Sequence, residues 1–430
     1  MHERTQRAVA RLLFVFCCAV PTSIVFLSIL VTWTPWYQAN KLAELTHHLN
    51  LQTGLVFEIG RCERVAPGKY ILENVRVSDP DSRQHVVTVR LIDYLVERER
   101  AAIILHQPEF QSAGLGHAWT MLHDRLISRP AQTVVPISIL ATDVSILSRT
   151  GSMPPVDVSA EITPEGDSVR MIARAGHATR HVGPRLHVEL FRDRDREVPA
   201  TELVLSTEGT ALPCSALAEY APAIKHLGAN AEFVGVIACR QTLHGWTYDL
   251  GSSSLTKLSL NDLTDHLPHR VIGEAEVQFR RCVIHPGESV NLVGTLKSSK
   301  PANLRIKTPL LAAMRDHLGM AVDERELVPN PNGIECELAL NFDIRDETMT
   351  LTGIGDNVVL YSRGRPIAAP PAELIDADRI TAMLAPPSRW MAGWNSILLP
   401  SSPTAADDAL PAAAFRSVRN LDGDASIRQQ

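Results

Sequence analysis

The chain has 430 residues, 45% of them hydrophobic and 21% charged, an ordinary globular balance that excludes wholesale disorder and leaves room for two or three domains. Lys and Arg number 42 against 48 Asp and Glu, giving a formal charge of -6, and aromatic residues make up only 5%. Neither the positive patch nor the stacking platform of a nucleic-acid binder is present, so nucleic acid is excluded as a partner.

From Leu12 to Trp33 the sequence reads LLFVFCCAVPTSIVFLSILVTW, without a charge. About 22 residues at a rise of about 1.5 Å span roughly 33 Å, enough to cross a bilayer core. Pro21 falls within this run, as lipid-spanning helices tolerate. Arg4, Arg7 and Arg11 precede it, and Trp33, Trp36 and Tyr37 follow. Positive residues favour the cytoplasmic side and aromatic rings the interface, so residues 1–11 are expected inside and the bulk of the chain outside. The run exceeds a typical signal-peptide core and no small-x-small site follows, which predicts an uncleaved single-pass anchor over 12–33. Cys17 and Cys18 read as small hydrophobes within it.

Leu42, Leu45 and Leu49 predict an amphipathic helix over 36–50. Short strands follow at Leu55–Ile59, Tyr70–Val77, Val86–Leu91 and Ala101–Leu105, separated by turns such as Pro67-Gly68 and Ser78–Ser82. Trp119, Leu122 and Leu126 predict a helix over 116–128, so residues 34–130 read as a helix plus β-meander module. Residues 131–365 read as a second, antiparallel β module with interspersed helices. There Leu186, Val188 and Leu190 alternate with Arg185, His187 and Glu189, and the mixed-sign run Arg192–Glu197 reads as a solvated turn. A helix is expected over Cys214–Leu227, closed by Gly228.

The clearest strands come next. Ala275, Val277 and Phe279 oppose Glu274, Glu276, Gln278 and Arg280. Ile334, Cys336, Leu338, Leu340, Phe342 and Ile344 oppose Glu335, Glu337, Asn341, Asp343 and Arg345, a period of two that predicts one dry and one wet face. Between them Thr308–Gly319 predicts a helix capped by Thr308, with Pro309 in its first turn and Gly319 at its end. From about Ala368 the chain turns rich in Ala, Pro and Ser, so 366–430 is expected to be a mostly disordered tail with an interfacial piece around Trp390–Leu399.

Catalytic signatures are missing. No G-x-S-x-G, P-loop or H-E-x-x-H occurs, and the Gly114/Gly116 and Gly353/Gly355 pairs lack the third glycine of a dinucleotide fingerprint. His123-Asp124 pairs a base with its carboxylate but has no nucleophile beside it. His177 with His181, and His266 with His269, Asp262 and Asp265, read as solvated groups rather than metal ligands. Cys62, Cys214, Cys239, Cys282 and Cys336 form no C-x-x-C pair and read as buried free thiols. The chain is read as a non-enzyme without cofactor or metal.

Two stretches carry a family likeness. "TGLVFEIGR", "PGKYILENVRVSDPDS", "VVTVRLIDYLV" and "IILHQPEF" follow one another through Leu51–Phe110, with Gly54, Leu72, Asn74, Val75, Val77, Asp79, Pro80, Pro108 and Glu109 at the telling positions. This resembles the N-terminal module of AsmA-like proteins, the group that includes TamB and its relatives. Phe233 to Met320, with Gly235, Gly273 and Gly294 in x-G-x-a settings before "TPLLAAMRDHLGM", is similar to that group's C-terminal part. The resemblance implies a long antiparallel sheet curled into a taco-shaped groove in the periplasm, anchored in the inner membrane. It further implies a role in phospholipid transport or envelope maintenance, with phospholipid and other envelope proteins as partners. About fifteen strands at roughly 4.8 Å would make a groove near 70 Å long. The candidate lining residues are Ala275, Val277, Phe279, Ile334, Leu338, Leu340 and Phe342. On alternation alone, a closed β-sandwich with a structural or interaction role is the simpler account of the same face.

Overall fold

The computed structural model describes residues 20–32, 35–129, 133–148, 152–176, 185–194, 199–218, 222–242, 245–265, 269–286, 288–300 and 304–376, with Phe14, Phe16, Cys17, Asp378 and Arg379 besides. Arg4, Arg7, Arg11, Cys18, Trp33, His177, His181, His266 and the proline-rich tail with Trp390–Leu399 lie outside the described residues. Strands account for 54% and helices for 22%, so the protein is mainly β. Two compact units form, Met1–Ser148 with Ser152–Pro199, and Arg149–Gly151 with Ala200–Gln430. The boundary expected at 130/131 lies within the first of these units.

The first unit opens with α1 (Val20–Thr32) and α2 (Pro35–Thr53). No helix among the described residues is long and apolar enough to cross a membrane. Ile24, Val25, Phe26 and Leu27 of α1 all stand exposed. Strands β1 (Val56–Ala66), β2 (Lys69–Ser78), β3 (His85–Val96) and β4 (Ala101–Gln111) follow. Helix α3 (Leu115–Thr120) runs on as a π-helix through Met121–Ile127. Next come β5 (Ile137–Leu147), β6 (Ser152–Glu165), β7 (Ser168–Gly176) and β8 (Leu186–Asp193). Each strand pairs with the next, antiparallel except for β4 and β5. That one parallel ladder corrects the expectation of an antiparallel sheet throughout. A hairpin cannot join parallel strands, and the segment containing α3 supplies the crossover they require.

One row of this sheet breaks the period of two. Ile59 and Cys62, Val75 and Leu72, Val89 and Ile92 are three apart in their strands, yet all pack into one cluster with Leu105. Across the next ladders Pro108 and Leu105 pair with Val89 and Ile92, and Ala141 clusters with Val144 on β5. Asn74, Gln107 and Asp143 lie in this row with φ of 53°, 52° and 55°. A left-handed residue turns the chain by an extra step, so the same face returns after three positions. The row ends where Ala141 and Val144 meet Val158 and Val156, two apart on β6.

The second unit contains β9 (Ala200–Ser206), β10 (Leu212–Pro213), β11 (Glu232–Val234), β12 (Val236–Thr242), β13 (Gly245–Asp249) and β14 (Ser254–Ser259). Helix α4 (Leu260–Leu263), β15 (Val271–Ile272), β16 (Glu274–His285), β17 (Ser289–Ser298), β18 (Leu304–Ile306) and helix α5 (Thr308–Leu318) follow. The series closes with β19 (Ala321–Val322), β20 (Ile334–Arg345), β21 (Thr348–Gly353), β22 (Leu360–Ser362), β23 (Arg365–Ala369) and β24 (Ile375–Asp376). Strand β20 is the spine: one edge holds β18 and β17 in succession, the other β22 and β21. Gly235 and Gly273, with φ of 144° and 135°, stand between β11 and β12 and between β15 and β16, where the chain changes ladder. A Cβ on Gly235 would lie 2.4 Å from Cβ of Ser253.

Three local expectations need correction. The helix expected over Cys214–Leu227 is two 3-10 turns, Cys214–Leu217 and Pro222–Leu227. Lys307, not Thr308, is the N-cap of α5; the Thr308 hydroxyl instead donates to the Val328 carbonyl (3.3 Å) and accepts from the Asn330 amide (3.4 Å). The expected start of the tail at 366 is occupied by β23 and β24, whose Ile367, Ala368 and Ile375 are buried in the core. Strands of two to five residues are too short to show a period.

Candidate functional site

The seven candidate lining residues do not form one open face. Ala275, Ile334, Leu338 and Leu340 are buried, in a cluster that includes Leu310, Leu311 and Leu318 of α5. Helix α5 therefore roofs the dry face of β20. Phe342 packs partly buried against the same cluster, and Val277 against another built on Cys214, Ala231, Phe233 and Leu258. Phe279 meets Phe342 edge-to-face, centroids 6.3 Å apart, across Gly294 of the strand between them. A Cβ on Gly294 would lie 2.7 Å from Cζ of Phe342, so the absence of a side chain there makes room for the ring. The helix and the strand were each readable in the sequence; nothing in it says that one sits on the other.

A different apolar face, which the sequence reading left unassigned, is found in the first unit. Tyr70, Tyr94, Ile103, Ile139, Ala160, Ala173 and Val188 stand directly opposite one another from β2 through β8. Partners in a ladder share a face, so they form one unbroken apolar row, and each is half-buried. On one side it adjoins Leu72, Ile92, Leu105, Ala141 and Val158; on the other, Ile137, Ile162, Met171 and Leu190. The reverse face is mixed, carrying Asp93, Ser159, Arg174 and His187 in one row. Burial and the neighbouring Tyr70 raise the Tyr94 phenol above its usual pKa, which marks a poorly hydrated surface.

Segment 115–127 holds both edges of this sheet. The Arg125 guanidinium lies 3.2 Å from where a Gly54 Cβ would stand, at the lead into β1. His123 Nε2 is 3.4 Å from Arg192 Nη1 on β8, and Arg194 donates to the Ile127 carbonyl and to Thr133 Oγ1. Laid flat, eight strands would set these edges roughly 34 Å apart. Side chains two residues apart reach both, so the sheet bends round the helix. Arg192 and Arg194 are thus anchors, which corrects that part of the expected solvated turn, while its residues 195–197 lie outside the described residues; a run of alternating charges gives no sign of a helix packed 65–70 positions earlier in the chain.

The start of the helix is pinned as well. Asp79 is buried; its Oδ2 accepts from the Ser82 amide and hydroxyl, both at 2.7 Å, and its Oδ1 lies 3.2 Å from His117 Nδ1. Burial alone would raise its pKa, but the Ser82 bonds and His117 outweigh that and hold the carboxyl below its usual range. An open cleft of about 530 Å³ lies between α2 and β1, lined by Leu42, Thr46, His47, Phe57 and Ile59 among others.

The six described cysteines are free, and burial pushes Cys214 and Cys282 up to about 11 and Cys336 up to about 12. Among the described residues no group of three or more His, Cys, Asp and Glu is placed to hold a metal. Asp265 pairs with Arg270 at 2.6 Å, while the Asp262 amide donates to the Ser259 cap of α4. No family model matches the chain, and neither does any curated protein or solved structure.

Proposed function

We propose that this is an AsmA-like, single-pass envelope protein, anchored by 12–33 in the inner membrane with its bulk in the periplasm, whose first unit takes up phospholipid acyl chains without catalysis or cofactor. The observation that carries this reading is the half-buried apolar row from Tyr70 to Val188, continuous over seven strands. Six strand spacings give it roughly 29 Å. Each methylene withdrawn from water on such a surface contributes about 0.8 kcal/mol, so ten would contribute about 8 kcal/mol before ordering costs. The exposed run Ile24–Leu27 supports the anchor, and the charge pattern around 12–33 supports its orientation.

The second unit favours the other reading for itself. With α5 seated on Ile334, Leu338 and Leu340, its dry face serves as a closed core, suited to stability and to contacts with envelope partners rather than to acyl binding.

The test uses the full chain in lipid nanodiscs, with a benzophenone amino acid placed at Tyr94, at Ile103 or, on the reverse face, at Glu161. Irradiation is expected to give phospholipid adducts at 94 and 103 and none at 161. Adducts absent from 94 and 103, or equal at all three, would overturn the reading.

A further inference from the structure

We infer that Arg64, Tyr70 and Tyr94 form a headgroup site at the β1 end of the apolar row, taking the phosphate of a lipid whose acyl chains lie along the row toward β8. The inference rests on the acyl reading above and adds the polar end of the ligand to it.

Arg64 of β1 stands opposite Tyr70, and Tyr70 opposite Tyr94, so all three share the face that carries the row. The Arg64 guanidinium sits over the Tyr70 ring, its Cζ 6.0 Å from the centroid, at the outer reach of a cation–π contact. The two tyrosine rings lie 6.5 Å apart at 32°. Arg64 is exposed and both tyrosines are half-buried. Beyond them the row is aliphatic throughout, as Ile103, Ile139, Ala160, Ala173 and Val188. Its polar atoms are therefore gathered at one end, which gives the row a direction.

These side chains hold donors that the fold leaves unused. Among the described residues, neither phenol makes a hydrogen bond and no carboxylate pairs with Arg64. Arg61, on the same strand, is by contrast held by Glu63 at 3.3 Å and lies 4.0 Å from Glu73. A guanidinium offers only donors, in a planar fork that matches two oxygens of a phosphate. Burial and the neighbouring Tyr70 raise the pKa of the Tyr94 phenol, so it keeps its proton and stays a donor. From Tyr94 to Val188 the row runs five strand spacings, roughly 24 Å. Half of a bilayer core about 30 Å thick sets an acyl chain at about 15 Å. A lipid held by its phosphate at Arg64 thus ends its chains before β8.

The test uses the full chain with the benzophenone amino acid at Ile103, in phosphatidylglycerol nanodiscs carrying a minor share of diacylglycerol with the same chains. Diacylglycerol lacks the phosphate. Corrected for composition, phospholipid adducts of the wild type are expected to exceed diacylglycerol adducts about tenfold, the factor of one charge-assisted contact. Arg64→Gln is expected to bring that ratio close to one, and Tyr94→Phe to lower it about threefold, as for a neutral donor. Arg61→Gln, an equal loss of charge on the same strand, is expected to keep the wild-type ratio, and so is an excess of inorganic phosphate, which has no chains. A wild-type ratio near one, a ratio that survives Arg64→Gln or Tyr94→Phe, an equal fall in Arg61→Gln, or a preference lost to inorganic phosphate would overturn the headgroup site and leave the acyl reading standing. No adducts of either lipid at 103 would overturn both.

Discussion

Shortening Leu340 to Ala decides whether the dry face of β20 is core or groove. Leu340 is 7% exposed, flanked in the sheet by Leu296 and Gly353 and packed in the cluster under α5. The change removes three carbons, about 2.4 kcal/mol of transfer free energy at about 0.8 each. Incomplete collapse around the cavity adds to this, for a total of roughly 3–4 kcal/mol. With a urea m-value near 3 kcal/mol per M, the midpoint should fall by about 1 M. Circular dichroism of the full chain in detergent reads it, with Val328→Ala, exposed and outside the clusters, as a control near zero. A midpoint lowered by less than about 0.3 M, the value for a solvated side chain, would refute the roofed core.

Other outcomes follow from the same geometry. Ile103→Asp should abolish phospholipid cross-linking at Tyr94 while the circular dichroism spectrum is retained, because the half-buried row leaves the charge a route to water. Gly294→Val should destabilise the second unit by about 1–3 kcal/mol through collision with the Gln278 carbonyl, 2.6 Å from the new Cβ, and with the Phe342 ring, read by thermal melting. Asp79, its pKa depressed on folding, contributes stability that is full above the unfolded value near 3.9 and lost as pH falls through the lower folded value. Acid unfolding below about pH 4 should therefore be shallower in Asp79→Asn than in wild type. At pH 8 about one in a thousand Cys214 and Cys282 thiols, and fewer at Cys336, is ionised, so a disulfide reagent should leave all three unmodified until urea is added.

How much was legible in the sequence depended on whether local period and tertiary partner agreed. The bounds of strand β20 are legible in the sequence, since its polar and apolar residues alternate over most of twelve positions, and burial follows that alternation from Ile334 to Leu340. The end of α5 was equally plain, because Gly319 takes the left-handed cap at φ 71°. In the first unit, strands expected to end at Ile59 and Leu105 run on to Ala66 and Gln111. Both expectations stopped at the row where the spacing becomes three, since a rule built on alternation sees a strand end there. The candidate site fared worse. Period two marks a dry face but not what lies on it, so the face under α5 looked the same as an open one. The row from Tyr70 to Val188 draws one side chain from each of seven strands, and no single stretch of sequence displays it.

The row of three-residue steps also limits how this chain can vary. Removing Asn74 alone would slide the following half of β2 by one position against both neighbours, turning Val75 and Val77 away from the cluster they occupy. The same holds for Gln107 against β3 and β5. Hairpin tips such as Gly166-Asp167, where nothing lies within 4 Å of a Gly166 Cβ, can gain or lose residues strand by strand, but at this level β1 to β5 can change length only together. The crease thus ties five strands into one unit of change.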